Sequence, residues 1–434
     1  MSNIMLTDIC NLRCPYCFAN EFVNQDANEI SLENLKRALD FLANGKEKIG
    51  KFGLIGGEPM LHSKFREILQ MLQKEERLTK VIVFTNGLLI DQYIDELADP
   101  KIHLLINFNP PEILGERRYE KLLHNLELLY QRKGREGIRL GLNIYKPDFE
   151  YRYVIPVLQK YGFDNVRFSI TVPNAEEMKR IHPHAYYDSI KKPFLQFYND
   201  MLDIGVLPTF DCNKMPVCLF SVEELEPVFY KLIRYPEVVM NERHFLLSEW
   251  SKCSPVVDIR PDLTAVRCFG LSECTRVSIL DFKGLSELED YYIEQYDKKA
   301  FARSYYEKCT ECTAREWEQC MASCMAYRSG RLFDQKEKEE GQNEQFSYKS
   351  KQEPIQERFL KCYMKNKVFR GIADEVGDAK TLKAFIEGLE KKEYNMEDIE
   401  PIFRKLSEYR SAMRRARDAR RVYTEANILE ELDS

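Results

Sequence analysis

The feature that most constrains the fold of this chain is an alternation of apolar and amphipathic stretches over residues 1 to about 190. The apolar stretches have the length and composition of buried strands: Ile4–Thr7, Phe52–Ile55, Val81–Phe84, Leu104–Phe108, Arg139–Ile144 and Val166–Ile170. Amphipathic stretches typical of helices lie between them, near 31–43, 62–76, 91–98, 117–132 and 151–161. Because strands that alternate with helices build parallel sheets, the order predicts an α/β fold, as a parallel barrel or an open sheet.

Three cysteines follow the first predicted strand closely, in the spacing Cys10-x3-Cys14-x2-Cys17. Three thiolates in one short loop suit a [4Fe–4S] cluster whose fourth iron stays open to a ligand other than protein. Structural zinc sites usually pair two C-x2-C units to close four positions, and no fourth cysteine lies nearby. An odd number of cysteines and the absence of a secretory signal also disfavour disulfides. The loop therefore predicts an iron–sulfur cluster.

A second motif, Gly56-Gly57-Glu58-Pro59, comes directly after the second predicted strand. Two adjacent glycines allow the backbone to approach a ligand closely, and a glutamate can pair with an ammonium group. The motif therefore predicts a ligand site at the carboxyl end of this strand.

The two motifs together, in this order, resemble the cluster loop and the methionine-binding segment of the radical S-adenosylmethionine (SAM) enzymes. The resemblance implies a partial (β/α)6 barrel, with ligands at the carboxyl ends of its strands. It also implies that Cys10, Cys14 and Cys17 hold a [4Fe–4S] cluster, that SAM chelates the open iron, and that Gly56, Gly57 and Glu58 bind the SAM amino group. One electron from the cluster would then cleave SAM to a 5′-deoxyadenosyl radical that abstracts hydrogen from a substrate.

Further SAM contacts are implied by position within the same family. Tyr16 matches an aromatic residue whose backbone meets the adenine. Asn107 and Asn109, at the end of the fourth strand, match partners of the ribose hydroxyls, and Asn143 and Ser169 are similar candidates on the next two strands. The alternative for the Asn-Phe-Asn-Pro-Pro run is ordinary turn chemistry at a strand exit.

A second set of cysteines resembles the SPASM module, the auxiliary-cluster domain of peptide-modifying radical SAM enzymes. The resemblance implies that Cys253, Cys268 and Cys324 hold one [4Fe–4S] cluster. It assigns a second cluster to three more cysteines, Cys309, Cys312 and Cys320. The segment 256–263, between the first two cysteines of the set, is typical of a hairpin with a Pro-Asp turn.

The cysteine spacing departs from the module in two places, and these leave some ligands open. Seven residues separate Cys312 from Cys320, where five are common. Cys362 lies further along than the usual last ligand, so it either completes a cluster or is a buried thiol. The remaining position on the first cluster has three candidates, Cys212, Cys218 and Cys274. Zinc is an alternative for residues 309–324, because C-x2-C beside another cysteine pair is the pattern of a zinc knuckle.

Composition and length suggest the organisation of the rest of the chain. The 434 residues are long enough for several domains. We expect a barrel over 1–200, a SPASM-like domain over 201–330, a charged linker or mobile loop over 331–354 and a helical C-terminal extension over 355–434. A net charge of −6 predicts no nucleic-acid partner. No signal peptide and no membrane-spanning run is evident, so we expect a cytoplasmic protein without a membrane partner.

The function expected from the resemblance is radical modification of a ribosomally made precursor peptide by crosslinking, epimerisation or backbone excision. Expected partners are the peptide or protein substrate, an electron donor such as ferredoxin or flavodoxin, and a small leader-binding protein. Because the first strand begins at residue 4, we expect leader binding to use the C-terminal extension or that separate protein. The alternatives are a maturase of a folded protein, of the formylglycine or quinone-cofactor type, a small-molecule radical enzyme, and a non-catalytic iron–sulfur or zinc protein.

Overall fold

The computed structural model describes residues 2–17, 19, 23–24, 27–44, 48–171, 183–215, 219–221, 224, 228, 231, 253, 255–269, 275–297, 324 and 326. The chain divides into two compact units, and all helices and strands named below belong to the first. Six predicted metal ligands or candidates lie outside the described residues, with the linker and the C-terminal extension: Cys218, Cys274, Cys309, Cys312, Cys320 and Cys362. None of the described helices is long and apolar enough to cross a membrane.

Within the described residues, ten strands form one sheet with the order β10-β9-β8-β1-β2-β3-β4-β5-β6-β7. Strands β1 to β7 run parallel to their neighbours, and β8 also pairs parallel with β1, whereas β9 and β10 are antiparallel. The strands are β1 Asn3–Met5, β2 Gly50–Ile55, β3 Leu78–Thr85, β4 Ile102–Asn107, β5 Ile138–Ile144, β6 Asn165–Ile170, β7 Leu207–Phe210, β8 Asp258–Ile259, β9 Thr264–Val266 and β10 Val277–Ser278. The six predicted strands correspond to β1–β6, and the predicted α/β partial barrel is confirmed.

The helices alternate with the parallel strands, as the amphipathic stretches predicted. They are α1 Leu32–Ala43, α2 Phe65–Lys74, α3 Ile94–Leu97, α4 Pro111–Leu114, α5 Glu116–Lys133, α6 Ile155–Tyr161, α7 Pro183–Asp203 and α8 Leu285–Tyr292. Helix α1 begins where the Ser31 hydroxyl accepts from the amide of Asn34 at 3.0 Å, and it ends at Asn44, whose φ of 43° is left-handed. Its buried face carries Leu35, Ala38, Leu39 and Leu42.

Along each parallel strand, successive side chains point to opposite faces of the sheet. In β3, Val81, Val83 and Thr85 are buried, whereas Ile82 and Phe84 are only half-buried. Since the crossover helices cover the outside of such a sheet, the fully buried side chains face the helices. The half-buried positions face the concave interior, which we call the inner face.

The cysteine-rich region contributes strands to the same sheet. The hairpin predicted over 256–263 is confirmed, since β8 pairs antiparallel with β9 and the amide of Arg260 donates to the carbonyl of Thr264 at 2.7 Å. Strand β7 also continues the sheet beyond residue 200, where the sequence predicted the barrel to end. Parallel pairing of β8 with β1 then attaches the hairpin to the first barrel strand.

A buried polar pair joins β1 to β8. Asn3 and Asp258 are register partners, and Nδ2 of Asn3 donates to Oδ1 of Asp258 at 2.6 Å. Asp258 is 2% exposed, and burial raises the pKa of its carboxyl to about 7, with the Asn3 donor opposing the shift. Oδ1 of Asn3 has no hydrogen-bond partner. The ionised carboxylate therefore costs stability at this junction.

Asp258→Asn is expected to stabilise the protein at pH 8 and to lose this advantage in acid. The folded pKa lies above the unfolded value of 3.8, so the native state takes up a proton as the pH falls from about 7 to 4 and wild type gains stability there. The asparagine is neutral at every pH and can donate to Oδ1 of Asn3. We expect a gain of roughly 1–3 kcal/mol at pH 8, measured as the midpoint of thermal unfolding at pH 8 and pH 5.

The exposed Asp148→Asn variant is the matched control and should shift neither midpoint. An Asp258→Asn variant that is less stable than wild type by the same amount at both pH values would contradict the account.

Candidate functional site

The three cysteines of the N-terminal motif lie in a loop, residues 10–17, at the carboxyl end of β1. We call it the cluster loop. Local hydrogen bonds shape it: the amide of Cys10 donates to Oδ1 of Asn24 at 3.0 Å, and the amide of Cys17 donates to the carbonyl of Cys14 at 3.1 Å. The amide of Leu12 also lies 3.4 Å from Sγ of Cys10. The loop thus folds back on itself and keeps its thiols near the strand ends.

The three thiols share one half-buried environment. Burial raises the pKa of all three, that of Cys14 to about 11, and the charges of Cys10 and Cys17 add to the effect on Cys14. In the part of the chain that the structure describes, no three His, Cys, Asp or Glu side chains converge on a point suited to one metal ion. A [4Fe–4S] cluster sets a different requirement, because each of its thiolates binds a different iron atom. The donor set of the loop fits such a cluster.

The Gly-Gly-Glu segment lies directly against the cluster loop. The amide of Gly57 donates to the carbonyl of Thr7, and the amide of Glu58 donates to the carbonyl of Ile9, both at 2.8 Å. A Cβ on Gly56 would lie 2.6 Å from the oxygen of Thr7, and one on Gly57 would lie 2.5 Å from the carbonyl carbon of Ile9. The structure shows that these glycines make room for the backbone leading into the cluster loop, and their close approach to a ligand stays a prediction.

Glu58 connects the ends of β2 and β3. Its carboxylate is 1% exposed and accepts from the hydroxyl of Thr85 at 2.9 Å and from the amides of Asn86 at 2.8 Å and Met60 at 3.2 Å. Burial raises the pKa of Glu58 to about 7, and the three donors oppose this shift. The side chain of Asn86 in turn donates to Oδ1 of Asn11 in the cluster loop at 2.8 Å. The orientation of the carboxylate is therefore fixed by the fold, and its pairing with the SAM amino group stays a prediction.

Polar side chains from the ends of β4 and β5 gather beside the cluster loop. The hydroxyl of Tyr16 donates to Oδ1 of Asn109, and Nδ2 of Asn109 lies 3.9 Å from Sγ of Cys14. The phenol of Tyr16 also interacts with the thiol of Cys14 and the side chain of Asn143. The structure thus brings together four of the predicted residues, which are Cys14, Tyr16, Asn109 and Asn143.

The other two candidates, Asn107 and Ser169, lie on the inner face of the sheet. Asn107 is the register partner of Gly141, and its Oδ1 lies 3.5 Å from the point that a Cβ on Gly141 would occupy. Ser169 is the register partner of Asn143. It is 6% exposed, and its hydroxyl has no hydrogen-bond partner. Because buried polar groups normally have partners, this hydroxyl fits a role in binding a polar ligand.

Four further cysteines form a second group of thiols, Cys212, Cys253, Cys268 and Cys324, which we call the auxiliary thiol group. Burial raises the pKa of Cys268 well above its ordinary value, and the charges of the other three thiols add to the shift. Desolvation likewise raises the pKa of Cys212 to about 12, followed by the charges of Asp211 and Cys253. The mutual effects place the four thiols in one neighbourhood, although Cys212 keeps solvent-exposed surface.

Hydrogen bonds to a strand and to a helix position two members of this group, Cys212 and Cys324. Cys212 comes two residues after β7, and its carbonyl accepts from the amide of Ile170 at the end of β6 at 3.2 Å. Cys324 is 3% exposed, and its amide donates to the hydroxyl of Tyr187 on α7 at 3.5 Å. Of the three candidates for a fourth ligand, Cys212 joins the predicted set, while Cys218 and Cys274 lie outside the described residues. Four thiols are the number that a fully ligated [4Fe–4S] cluster needs.

Two charged side chains on the inner face of the sheet were not predicted from the sequence. They are Arg139 on β5 and Arg167 on β6. The signal was present in β5, where Leu140, Leu142 and Ile144 are buried under the helices, whereas Arg139 is exposed and Asn143 is only half-buried. That alternation assigns Arg139 and Asn143 to the same face.

Gly57→Ala is expected to release the iron held by the cluster loop and to lower the midpoint of thermal unfolding. The new methyl group would overlap the carbonyl carbon of Ile9 at 2.5 Å and Cβ of Cys10 at 2.9 Å, an overpacking that costs about 1–3 kcal/mol. The measurements are iron per chain after anaerobic reconstitution and the unfolding midpoint.

Gly50→Ala is the control, because this glycine has a φ of 80° but nothing within 4 Å of the added Cβ. Alanine at this position has the strain of a positive φ, but its methyl group does not touch the cluster loop. Equal iron content and equal midpoints in the two variants would show that the close approach at Gly57 is unimportant.

The double variant Cys253→Ala/Cys268→Ala is expected to lose about four irons per chain, the content of one [4Fe–4S] cluster. The triple variant Cys10→Ala/Cys14→Ala/Cys17→Ala should lose a different set of about four, so the combined variant should lose the sum. Iron and zinc are measured together by elemental analysis. Loss of zinc in place of iron from the double variant, or unchanged iron, would contradict an iron–sulfur cluster at the auxiliary thiol group.

Comparison with known proteins supports the interpretation of the N-terminal part. The sequence model of the radical SAM superfamily matches residues 4–132. GTP 3′,8-cyclase of Alkaliphilus oremlandii is 29% identical over 149 residues, which cover 33% of this chain and 44% of the relative. The enzyme of the same name from Synechocystis sp. is 30% identical over 149 residues, covering 32% and 43%. The chain therefore spans less than half the length of these curated relatives.

Among solved structures, Streptococcus suis SuiB bound to S-adenosylmethionine is similar with a TM-score of 0.47 and 14% sequence identity. The similarity covers 71% of this chain and 69% of SuiB, and at this level it carries no argument about function. The superfamily that matches the N-terminal part uses a [4Fe–4S] cluster and SAM, which agrees with the donor set of the cluster loop. Over residues 4–132 this chain is similar to the radical SAM superfamily.

Proposed function

We propose that this protein is a radical SAM enzyme that abstracts hydrogen from a ribosomally made precursor peptide. The observation that carries the proposal is the junction of the cluster loop with the Gly-Gly-Glu segment, made by the hydrogen bonds of Gly57 to Thr7 and of Glu58 to Ile9. This junction sets three thiols beside a buried carboxylate at the carboxyl ends of the strands, where barrel enzymes bind their ligands.

Each group of residues has a role in this proposal. Cys10, Cys14 and Cys17 hold the cluster, which supplies one-electron reduction of SAM when bound. The fixed carboxylate of Glu58 accepts a hydrogen bond from the SAM amino group. The side chains that have both donors and acceptors, Asn109 and Asn143, suit the ribose diol.

Two more groups complete the binding of SAM. The hydroxyl of Ser169, which lacks a partner, offers the same capacity one strand further along. Tyr16, whose ring centroid lies 5.3 Å from that of Tyr145, provides an aromatic wall for the nucleoside.

The auxiliary thiol group supports a peptide as the substrate. Its members include Cys253, Cys268 and Cys324, the set that resembles the SPASM module of peptide-modifying radical SAM enzymes. A second cluster in this position could take up the electron that remains after hydrogen abstraction, and an external donor such as ferredoxin or flavodoxin would reduce the first. Modification by crosslinking, epimerisation or backbone excision, with leader binding by the C-terminal extension or a separate protein, belongs to the same proposal.

A second candidate is a radical reaction on a nucleotide. It is favoured by the sequence relatives, which are GTP 3′,8-cyclases over the third of this chain that they match. The two candidates share the SAM site and differ in the substrate alone. Maturation of a folded protein and a non-catalytic iron–sulfur role are further alternatives, and the latter predicts no cleavage of SAM.

The reconstituted protein is expected to release 5′-deoxyadenosine from SAM under anaerobic, reducing conditions. Cys14→Ala should reduce this release at least a hundredfold, because it removes a ligand of the cluster that cleaves SAM. The control is Arg117→Gln, an exposed substitution on α5, which should match wild type. The product is quantified by liquid chromatography and mass spectrometry.

Equal release from Cys14→Ala and wild type, or none from wild type, would refute the radical SAM activity. Addition of GTP separates the two substrate classes. Conversion of GTP to a cyclised product would favour the nucleotide reaction and contradict the peptide proposal.

A further inference from the structure

Two arginines lie on the inner face of the sheet, on the strands that carry the predicted SAM contacts. Arg139 comes four residues before Asn143 on β5, and Arg167 comes two residues before Ser169 on β6. Because side chains on a strand alternate with a period of two, each arginine shares a face with the polar residue that follows it. At about 3.3 Å per residue, Arg139 starts roughly 13 Å below the level of Asn143.

A glycine lies beside one of these arginines on the neighbouring strand. Gly141 is the register partner of Arg167, and a Cβ on Gly141 would lie 3.6 Å from Nη1 of Arg167. The guanidinium carbon of Arg167 lies 6.0 Å from the ring centroid of Phe84 on β3. Since β3 and β6 are not neighbours in the sheet, this side chain reaches across the concave interior.

The two arginines on this inner face differ in their ion-pair partners. Arg167 forms an ion pair with Asp211, which follows β7. Arg139 has no ion pair or hydrogen bond within the described residues, and desolvation together with the charge of Arg167 lowers its pKa. The charges of Asp211 and Asp164 oppose this shift, but neither carboxylate is hydrogen-bonded to the guanidinium within the described residues. An arginine stays protonated in proteins, so its N–H donors remain available to an anionic ligand. Arg139 is also exposed and therefore accessible to a ligand.

We propose that Arg139 binds a carboxylate of the substrate, supplied by an acidic side chain or by a peptide C-terminus. A guanidinium matches a carboxylate with two parallel hydrogen bonds. A guanidinium without a hydrogen-bonded partner can pair with one carboxylate, whereas a triphosphate would bring several negative charges close to Asp211 and Asp164. The inference rests on the proposed function, because it names the class of substrate that enters the same barrel.

The geometry also limits where the carboxylate lies in the substrate. The reacting atom must lie near the cluster loop and the SAM contacts, at the level of Asn143 and Ser169. Since an extended peptide spans at most about 3.3–3.6 Å per residue, the roughly 13 Å to the level of Arg139 corresponds to about four residues of fully extended chain.

The test is binding of short probe peptides to the reconstituted, SAM-loaded full-length protein, measured by anaerobic calorimetry. The probes are acetyl-Gly-Glu-Gly-amide, its Gln counterpart, and acetyl-Gly-Gly-Gly with a free C-terminus. We expect wild type to bind one of the two carboxylate probes at least about tenfold more tightly than the Gln probe, and Arg139→Gln to abolish this preference. Preference for the Glu probe identifies a side-chain carboxylate, and preference for the free C-terminus identifies a terminal one.

The control variant is Arg117→Gln on the outside of the barrel, which should keep the preference, and Arg139→Lys should keep part of it. An equal preference in wild type and Arg139→Gln would overturn the proposal, as would failure of wild type to bind either carboxylate probe. Tighter binding of GTP than of both probes, lost in Arg139→Gln, would overturn it in favour of phosphate. These readouts do not depend on SAM cleavage, so failure of the proposed activity is recognised separately by the absence of 5′-deoxyadenosine in wild type.

Discussion

The site depends on the backbone hydrogen bonds that join the cluster loop to the end of β2. Gly57 and Glu58 donate to carbonyls of Thr7 and Ile9, and this approach is sterically open only because residues 56 and 57 have no side chain. The carboxylate of Glu58 then extends the junction to β3 through Thr85 and the amide of Asn86. Three strand ends and the thiol loop are thereby held as one rigid unit, which a ligand that spans cluster and carboxylate requires.

The first six strands could be predicted because each combines a short apolar run with the alternation expected of a parallel sheet. Strand β7 could not, since Leu207–Phe210 is short and includes Pro208, which is tolerated because β7 is an edge strand. Helix α7 was missed for a similar reason, as it includes Pro193 in its interior. The two-residue strand β8 was predicted as part of the hairpin over 256–263, whereas its parallel pairing with β1 has no signal in the local sequence.

At the site, local motifs identified residues directly, whereas alternatives that depend on tertiary pairing stayed open in the sequence. The spacing of the cluster loop and the two glycines are visible within a few residues. In contrast, the selection of Cys212 as the fourth thiol depends on the pairing of β7 with β6, which places it beside cysteines more than forty residues away. The inner-face position of Arg139 depends likewise on the register of β5 with its neighbours.

The central claim is that the cluster loop holds a [4Fe–4S] cluster with one iron open to SAM. The most direct measurement is electron paramagnetic resonance of the reduced protein with and without SAM. The background variant removes both expected auxiliary clusters, because it has alanine at five auxiliary cysteines: Cys253, Cys268, Cys309, Cys312 and Cys320. The account predicts a reduced-cluster signal that changes its g values when SAM is added and that is absent from Cys14→Ala. A signal unaffected by SAM, or one that persists in Cys14→Ala, would contradict it.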